Sequence, residues 1–101
     1  MAIRKSKTQK FQTKLTVEEA LIKCEDALNN GGFKAIKVNT SLRQLNADYK
    51  KFTVYGEIEI TLFEVNNETE IHLKSTANAD NIFALFSSLN GKIMKAFTTN
   101  F

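Results

Sequence analysis

The sequence predicts an α+β fold: a five-stranded antiparallel sheet in the order β-α-β-β-β-β-α, with both helices on one face. Three stretches carry that prediction. "YGEIEITLFEVNNETEIHLKST", residues 55–76, alternates apolar and polar side chains, turns at Asn66-Asn67, and alternates again, which is the pattern of a half-buried hairpin. "LTVEEALIKCEDALNNGG" repeats apolar residues at helical spacing between a capping signal and a glycine pair. The chain then closes on "NADNIFALFSSLNGKIMKAFTTNF", an amphipathic segment rich in Phe. Helices that precede and follow an antiparallel run pack on one of its faces and leave the other open.

Taken in order, residues 1–8 are polar and basic and read as a flexible N-terminal tail. The single domain spans 9–101. "KFQTKL" alternates from Lys10 and reads as a short first strand. In the helix, Thr16 and Glu19 form a T-x-x-E capping box. Val17, Ala20, Leu21, Cys24, Ala27 and Leu28 make one apolar stripe, and Gly31-Gly32 supplies the left-handed stop.

"FKAIKVN" and "SLRQLNADYK" read as two strands joined near Asn39-Thr40, with a bulge at Ala35 reconciling the phase of Phe33 with that of Ile36 and Val38. The following strand starts at Phe52, with Gly56 marking a bend. With Asn66 and Asn67 as the central turn residues, the hairpin register follows. Val65 faces Glu68, Leu62 faces Ile71, Ile60 faces Leu73, and Glu59 faces Lys74. Apolar meets apolar and acid meets base, which is what pins a register. The last helix carries its stripe on Ile82, Phe86, Leu89, Ile93 and Phe97, widened by Phe83, Leu85, Met94 and Ala96. Gly91 costs this helix about 1 kcal/mol relative to Ala and leaves open one helix or two, with Ser88 recapping the second.

The composition of these 101 residues, 43% hydrophobic and 25% charged, is that of one ordinary globular domain. The longest apolar run, Ile82 to Phe86, falls far short of the roughly 18 residues a membrane span needs. No apolar stretch follows the charged start as a secretory signal requires, and the lone Cys24 excludes an internal disulfide. A cytoplasmic location is the expectation. The net charge of +3 points toward nucleic acid until its distribution is read. Arg4, Lys5, Lys7 and Lys10 precede every acid; the other 91 residues hold ten bases and eleven acids. A domain that binds duplex concentrates its bases on a folded face. Here they lie in the tail, where Arg4, Lys5, Lys7 and Lys10 offer only weak contact with nucleic acid or another anionic surface, easily lost in salt.

The element order is similar to the β-α-β4-α arrangement of TATA-binding-protein-like domains and, more loosely, to helix-grip folds. The capped helix ending in Gly-Phe, the aromatic-Gly-Glu of "YGEIEITL" and the Ser-ended "TEIHLKS" resemble small bacterial domains of unknown function over about residues 9–97. The resemblance implies a fold and a bacterial or phage source, and no activity. TATA-binding domains grip a minor groove with the open sheet face, using amide and basic side chains and apolar wedges. On this chain the open face would carry Lys14, Gln44, Asn46, Thr53, Tyr55, Glu57, Glu59, Thr61, Phe63, Glu70, His72 and Lys74. Three carboxylates among them repel phosphates, which argues against DNA.

Each candidate residue on that face has a plain alternative. Glu57 and Glu59 are spaced for acid–base work or a weak metal site, but Lys74 faces Glu59, and one His cannot complete a ligand set. They read better as solvated side chains with one cross-strand ion pair. His72, beside Thr61, has no nucleophile to activate, and Cys24 belongs to the buried stripe. Gly31-Gly32 follows a helix where a phosphate loop would lead into one, and no CxxC, HExxH or GxSxG occurs. The protein is expected to be no enzyme and to need no metal or cofactor. Tyr55 and Phe63 are either scattered exposed aromatics or the anchors of a contact surface. The leading expectation is a non-catalytic interaction module whose open face meets an unidentified protein partner or forms a homodimer. Tyr55 and Phe63 would anchor that contact, with Glu57, Glu59, Thr61, Glu70, His72 and Lys74 around them. Two alternatives stand beside it: anionic-surface binding led by the tail, and a small apolar pocket between the sheet and the last helix.

Overall fold

A computed structural model of the chain describes residues 3–51, 54–79 and 89–101. The architecture is the expected α+β one: β1 (Ile3–Thr13), α1 (Val17–Asn30), β2 (Lys34–Asn39), β3 (Gln44–Lys51), β4 (Val54–Val65), β5 (Glu68–Ala79) and α2 (Leu89–Thr98). The strands form one antiparallel sheet in the spatial order β1-β5-β4-β3-β2.

Local chemistry explains each boundary of α1. Thr16 sits in extended geometry and its hydroxyl accepts from the Glu19 N–H at 3.2 Å while donating to the Glu19 carboxylate at 3.0 Å. The Thr16 hydroxyl thus satisfies one otherwise orphaned helix donor. At the other end the left-handed residue is Gly32, with φ +82°, while Gly31 stays right-handed. The Phe33 N–H donates to the Leu28 carbonyl at 3.0 Å and the Gly32 N–H to that of Asn29 at 3.2 Å. These two bonds make a Schellman stop.

The bulge expected at Ala35 is present: Ala35 has φ 52° and the β2–β3 register shifts between Lys34 and Lys37. The strand expected from Ser41 starts instead at Gln44, because residues 40–43 form the turn, with the Asn39 side chain accepting from the Leu42 N–H at 3.1 Å. Asn66 and Asn67, at φ 53° and 65°, close the β4–β5 hairpin as a type I′ turn requires. Its register is the expected one, Val65 to Glu68, Leu62 to Ile71, Ile60 to Leu73 and Glu59 to Lys74.

Two further boundaries differ from expectation, and they are one correction. β1 begins at Ile3, so most of the supposed flexible tail of residues 1–8 is strand. β5 continues past Ser75 to Ala79, where the last helix was expected to have begun. The two extensions pair with each other, Ile3 opposite Ala79 through Lys7 opposite Ser75. Backbone hydrogen bonding, without an apolar pattern, holds them. Phe52, Ile82, Phe83, Leu85, Phe86 and the recap at Ser88 lie outside the described residues.

The helices share one face. A single core joins the α1 stripe to Ile93, Met94 and Phe97 of α2 and to the inward residues of the sheet, among them Leu45, Ile58, Ile60, Leu62, Ile71 and Leu73. Each such aliphatic side chain contributes about 1.5–3 kcal/mol by leaving water. At Gly56 α2 closes on the sheet: a Cβ there would stand 2.8 Å from Ile93 Cδ1 and 2.3 Å from the Thr76 carbonyl oxygen. Of the two buried polar side chains among the described core residues, Thr69 donates to the Leu15 carbonyl at 2.8 Å.

Candidate functional site

The uncovered face of the sheet is ruled into cross-strand rows. Lys10, His72, Thr61 and Gln44 share one; Thr8, Lys74, Glu59 and Asn46 share the next; Ser6, Thr76, Glu57 and Asp48 follow. All eight residues singled out on this ribbon fall on it. Tyr55, Glu57, Glu59, Phe63 and Lys74 are exposed, and Thr61, Glu70 and His72 are half-buried. Tyr55 and Phe63 do not form one patch. Eight residues apart on one strand, they stand roughly 27 Å from each other, at opposite ends of the face.

Each aromatic has its own company. Lys50 Nζ lies 5.5 Å from the centre of the Tyr55 ring. Phe63 and His72 meet in a T-shaped contact, 4.7 Å between centroids. His72 Nε2 lies 2.5 Å from Glu70 Oε1, and Gln12 Nε2 donates to Glu70 Oε2 at 3.4 Å. The hydrogen bond from His72, then that from Gln12, holds the Glu70 carboxyl below its ordinary range. Between these ends the face dips into a concavity of about 460 Å³ lined by Thr8, Lys10, Glu59, Thr61, His72 and Lys74.

Four cations were grouped as a tail, and β1 separates them. Lys10 registers with His72 on the open face and Arg4 registers with Asn78, in the same phase. Lys5 and Lys7 register with Ala77 and Ser75, two buried positions on the helix side. Strand alternation divides what a flexible arm would present together.

Among the described residues no hydroxyl or thiol on this face is placed against His72 for activation. Ser6 bonds Thr76 at 3.0 Å, two rows from His72. Cys24 is buried under α1, and burial pushes its thiol up to about 12, against a small opposing pull from Lys23. Among the described residues no three His, Cys, Asp or Glu side chains converge as metal ligands, and no helix is long and apolar enough to cross a membrane.

Two features of the surface were missed. Asp48 registers opposite Glu57, so three of the four acids on this face stand together on β3 and β4, with Glu70 apart on β5; carrying the Gln44–Asn46 phase two residues further reveals Asp48. Ile22, Leu42 and Val38 are exposed at 66, 61 and 38% on the other side of the molecule. Ile22 breaks the polar side of α1, a signal visible in the sequence. The fold and its uncovered face define a helix-backed antiparallel sheet module. No family model matches the chain, and no curated protein matches it significantly.

Proposed function

We propose that the protein is a non-catalytic binding module whose open sheet face associates with the same face of a second copy. The uneven charge of that face carries the reading. Asp48, Glu57 and Glu59 outnumber Lys50 on β3 and β4, while Lys10 and Lys74 outnumber Glu70 on β1 and β5, where His72 lies against Glu70. A two-fold axis parallel to the strands, between β4 and β5, exchanges the halves and lays Glu59 of one copy on Lys74 of the other. Such a contact is isologous, and two sheets pack this way with strands within about 30° of each other.

Shape and chemistry support it. The four strands that this axis overlays, β1, β5, β4 and β3, make a face of roughly 19 Å by 30 Å, at the small end of specific interfaces. Phe63 and Tyr55 close the two ends with apolar area. The three carboxylates disfavour a phosphate backbone in the same place.

Sedimentation velocity across a concentration series tests the reading. Wild type is expected to dimerise, and Glu59→Lys and Lys74→Glu are each expected to weaken the dimer. Mixing the two variants restores it, because each altered side chain then meets its opposite across the interface. A wild-type monomer at every concentration, or a mixture no more associated than its parts, overturns self-association.

A further inference from the structure

β1 ends the sheet on the side opposite β2, and among the described strands it pairs only with β5. Its register runs unbroken from Ile3 opposite Ala79 to Thr13 opposite Thr69. The outer row of backbone N–H and C=O groups along this strand is a template for pairing. The strand reads IRKSKTQKFQT, with four bases and no acid. Arg4, Lys7 and Lys10 recur at every third position. Successive residues of a strand point to opposite faces, so this spacing sends successive bases to alternate sides. Lys7 registers with the buried Ser75 on the helix side, and Lys10 with His72 on the open face. Residues 6–10 are exposed whichever side they take. Among the described residues neither Lys7 nor Lys10 is drawn into an ion pair.

We propose that β1 takes an extended acidic segment of another protein as a sixth strand, whose carboxylates, three residues apart, meet Arg4, Lys7 and Lys10 in turn. The alternation that divides these bases for a flat surface suits a strand, because its own side chains alternate in the same way. Ladder hydrogen bonds hold such a segment, and cross-strand acid–base pairs set its register. Charge decides between occupants, since both sides of this edge carry the same sign. A second copy pairing β1 to β1 would set bases against bases, which is how lysines guard an edge. An acidic strand turns that repulsion into attraction. An anionic surface or a nucleic-acid strand laid on one side meets only the bases of that side. The contact uses the backbone edge of β1 and stands apart from the self-association proposed above.

The probe is a labelled, end-blocked peptide, Glu-Val-Thr-Glu-Val-Thr-Glu, titrated by fluorescence anisotropy against the full chain. Saturable binding is expected, weakened about fivefold by Lys7→Glu and equally by Lys10→Glu, although the two lie on opposite faces. Both sites are exposed, so the variants keep the fold, which far-UV circular dichroism verifies. Amide exchange along residues 6–11 is expected to slow on binding. The Glu59→Lys chain, in which self-association is weakened, is expected to bind the peptide as well as wild type does, so the two readings fail separately. Five results overturn the proposal. They are no saturable binding, loss of binding in Glu59→Lys, and dependence on Lys10 without Lys7, which would put the ligand on the open face. The others are equal binding by a peptide with Pro in place of Val, which keeps the charge and removes ladder bonds, and equal binding by single-stranded DNA of the same charge.

Discussion

Phe63 on β4 and His72 on β5 stand in a T-shaped contact, ring centroids 4.7 Å apart and planes at 69°. That ring contact fixes the imidazole so that its Nε2 points at Glu70. The carboxylate, held by His72 and then by Gln12, ionises below its ordinary value of 4.5. A group whose folded pKa is depressed contributes stability above its unfolded pKa, and that contribution is lost as pH falls through the folded one. Stability should therefore decline with acidification below about 4.5 partly through Glu70. Urea-unfolding midpoints followed downward in pH are expected to fall less steeply for Glu70→Gln than for wild type. Equal slopes would mean that the contact does not bias the carboxylate.

The two faces of the hairpin differ in energetic weight, and neighbouring residues on β5 test this. Leu73 is buried among the core side chains while Lys74, next in the chain, is exposed on the other face. Leu73→Ala should cost about 2–5 kcal/mol, since it removes buried methyl groups and leaves a cavity. Lys74→Ala should stay within about 0.5 kcal/mol. Chemical denaturation of both variants measures the difference, and similar costs would place the ribbon one residue out of register.

The hairpin was legible in the sequence because its register, turn and burial all repeat the same information. Ile60 and Leu73 must meet if Asn66 and Asn67 make the turn, and the type I′ angles at both Asn supply the geometry. The α1 boundaries were legible for the same reason, through Thr16, Glu19 and Gly32. Residues 3–8 carried no such signal. Ser6, Lys7 and Thr8 are exposed, so no burial pattern marks them, and their order comes from residues about seventy positions away. Ala77 was hidden likewise, since its partners Lys5 and Gly56 both lie far off in the sequence. The exposed Ile22, Val38 and Leu42 escaped because they lie on α1, β2 and a turn, which no single stretch of sequence brings together.

Close approach at Gly56 gives a third prediction. A methyl group there meets the Thr76 carbonyl at 2.3 Å, a backbone atom that cannot move without disturbing the β4–β5 ladder. Gly32 is different: nothing lies within 4 Å of a Cβ built on it, and only its φ of +82° resists substitution. Gly32→Ala should cost about 1–2 kcal/mol, the penalty of a left-handed L-residue. Gly56→Ala should cost more, and should also shift the Ile93 methyl resonances, because Ile93 Cδ1 is the second atom the new Cβ meets. Reversal of that order, by thermal unfolding, would show that α2 does not press on β4 at this point.

Removal of residues 1–8 separates a strand from a tail. A flexible tail can be cut with no effect on unfolding. A strand from Ile3 to Thr13 cannot, because the cut takes away the partners of Lys74 through Ala79. The lost backbone bonds, each worth about 0.5–1.5 kcal/mol net, are partly offset by the conformational freedom the removed residues no longer give up on folding. The deletion is therefore expected to lower unfolding stability by about 1–3 kcal/mol and to raise amide exchange along the second half of β5. It should also bare the β5 edge that β1 covers, and a bare edge beside the apolar Ala77 is a template for pairing between molecules. Faster aggregation of the truncated chain at equal concentration, relieved by Thr76→Lys on the open face, is the accompanying sign. A truncated protein with wild-type unfolding and unchanged exchange at Thr76 and Ala77 would restore the tail.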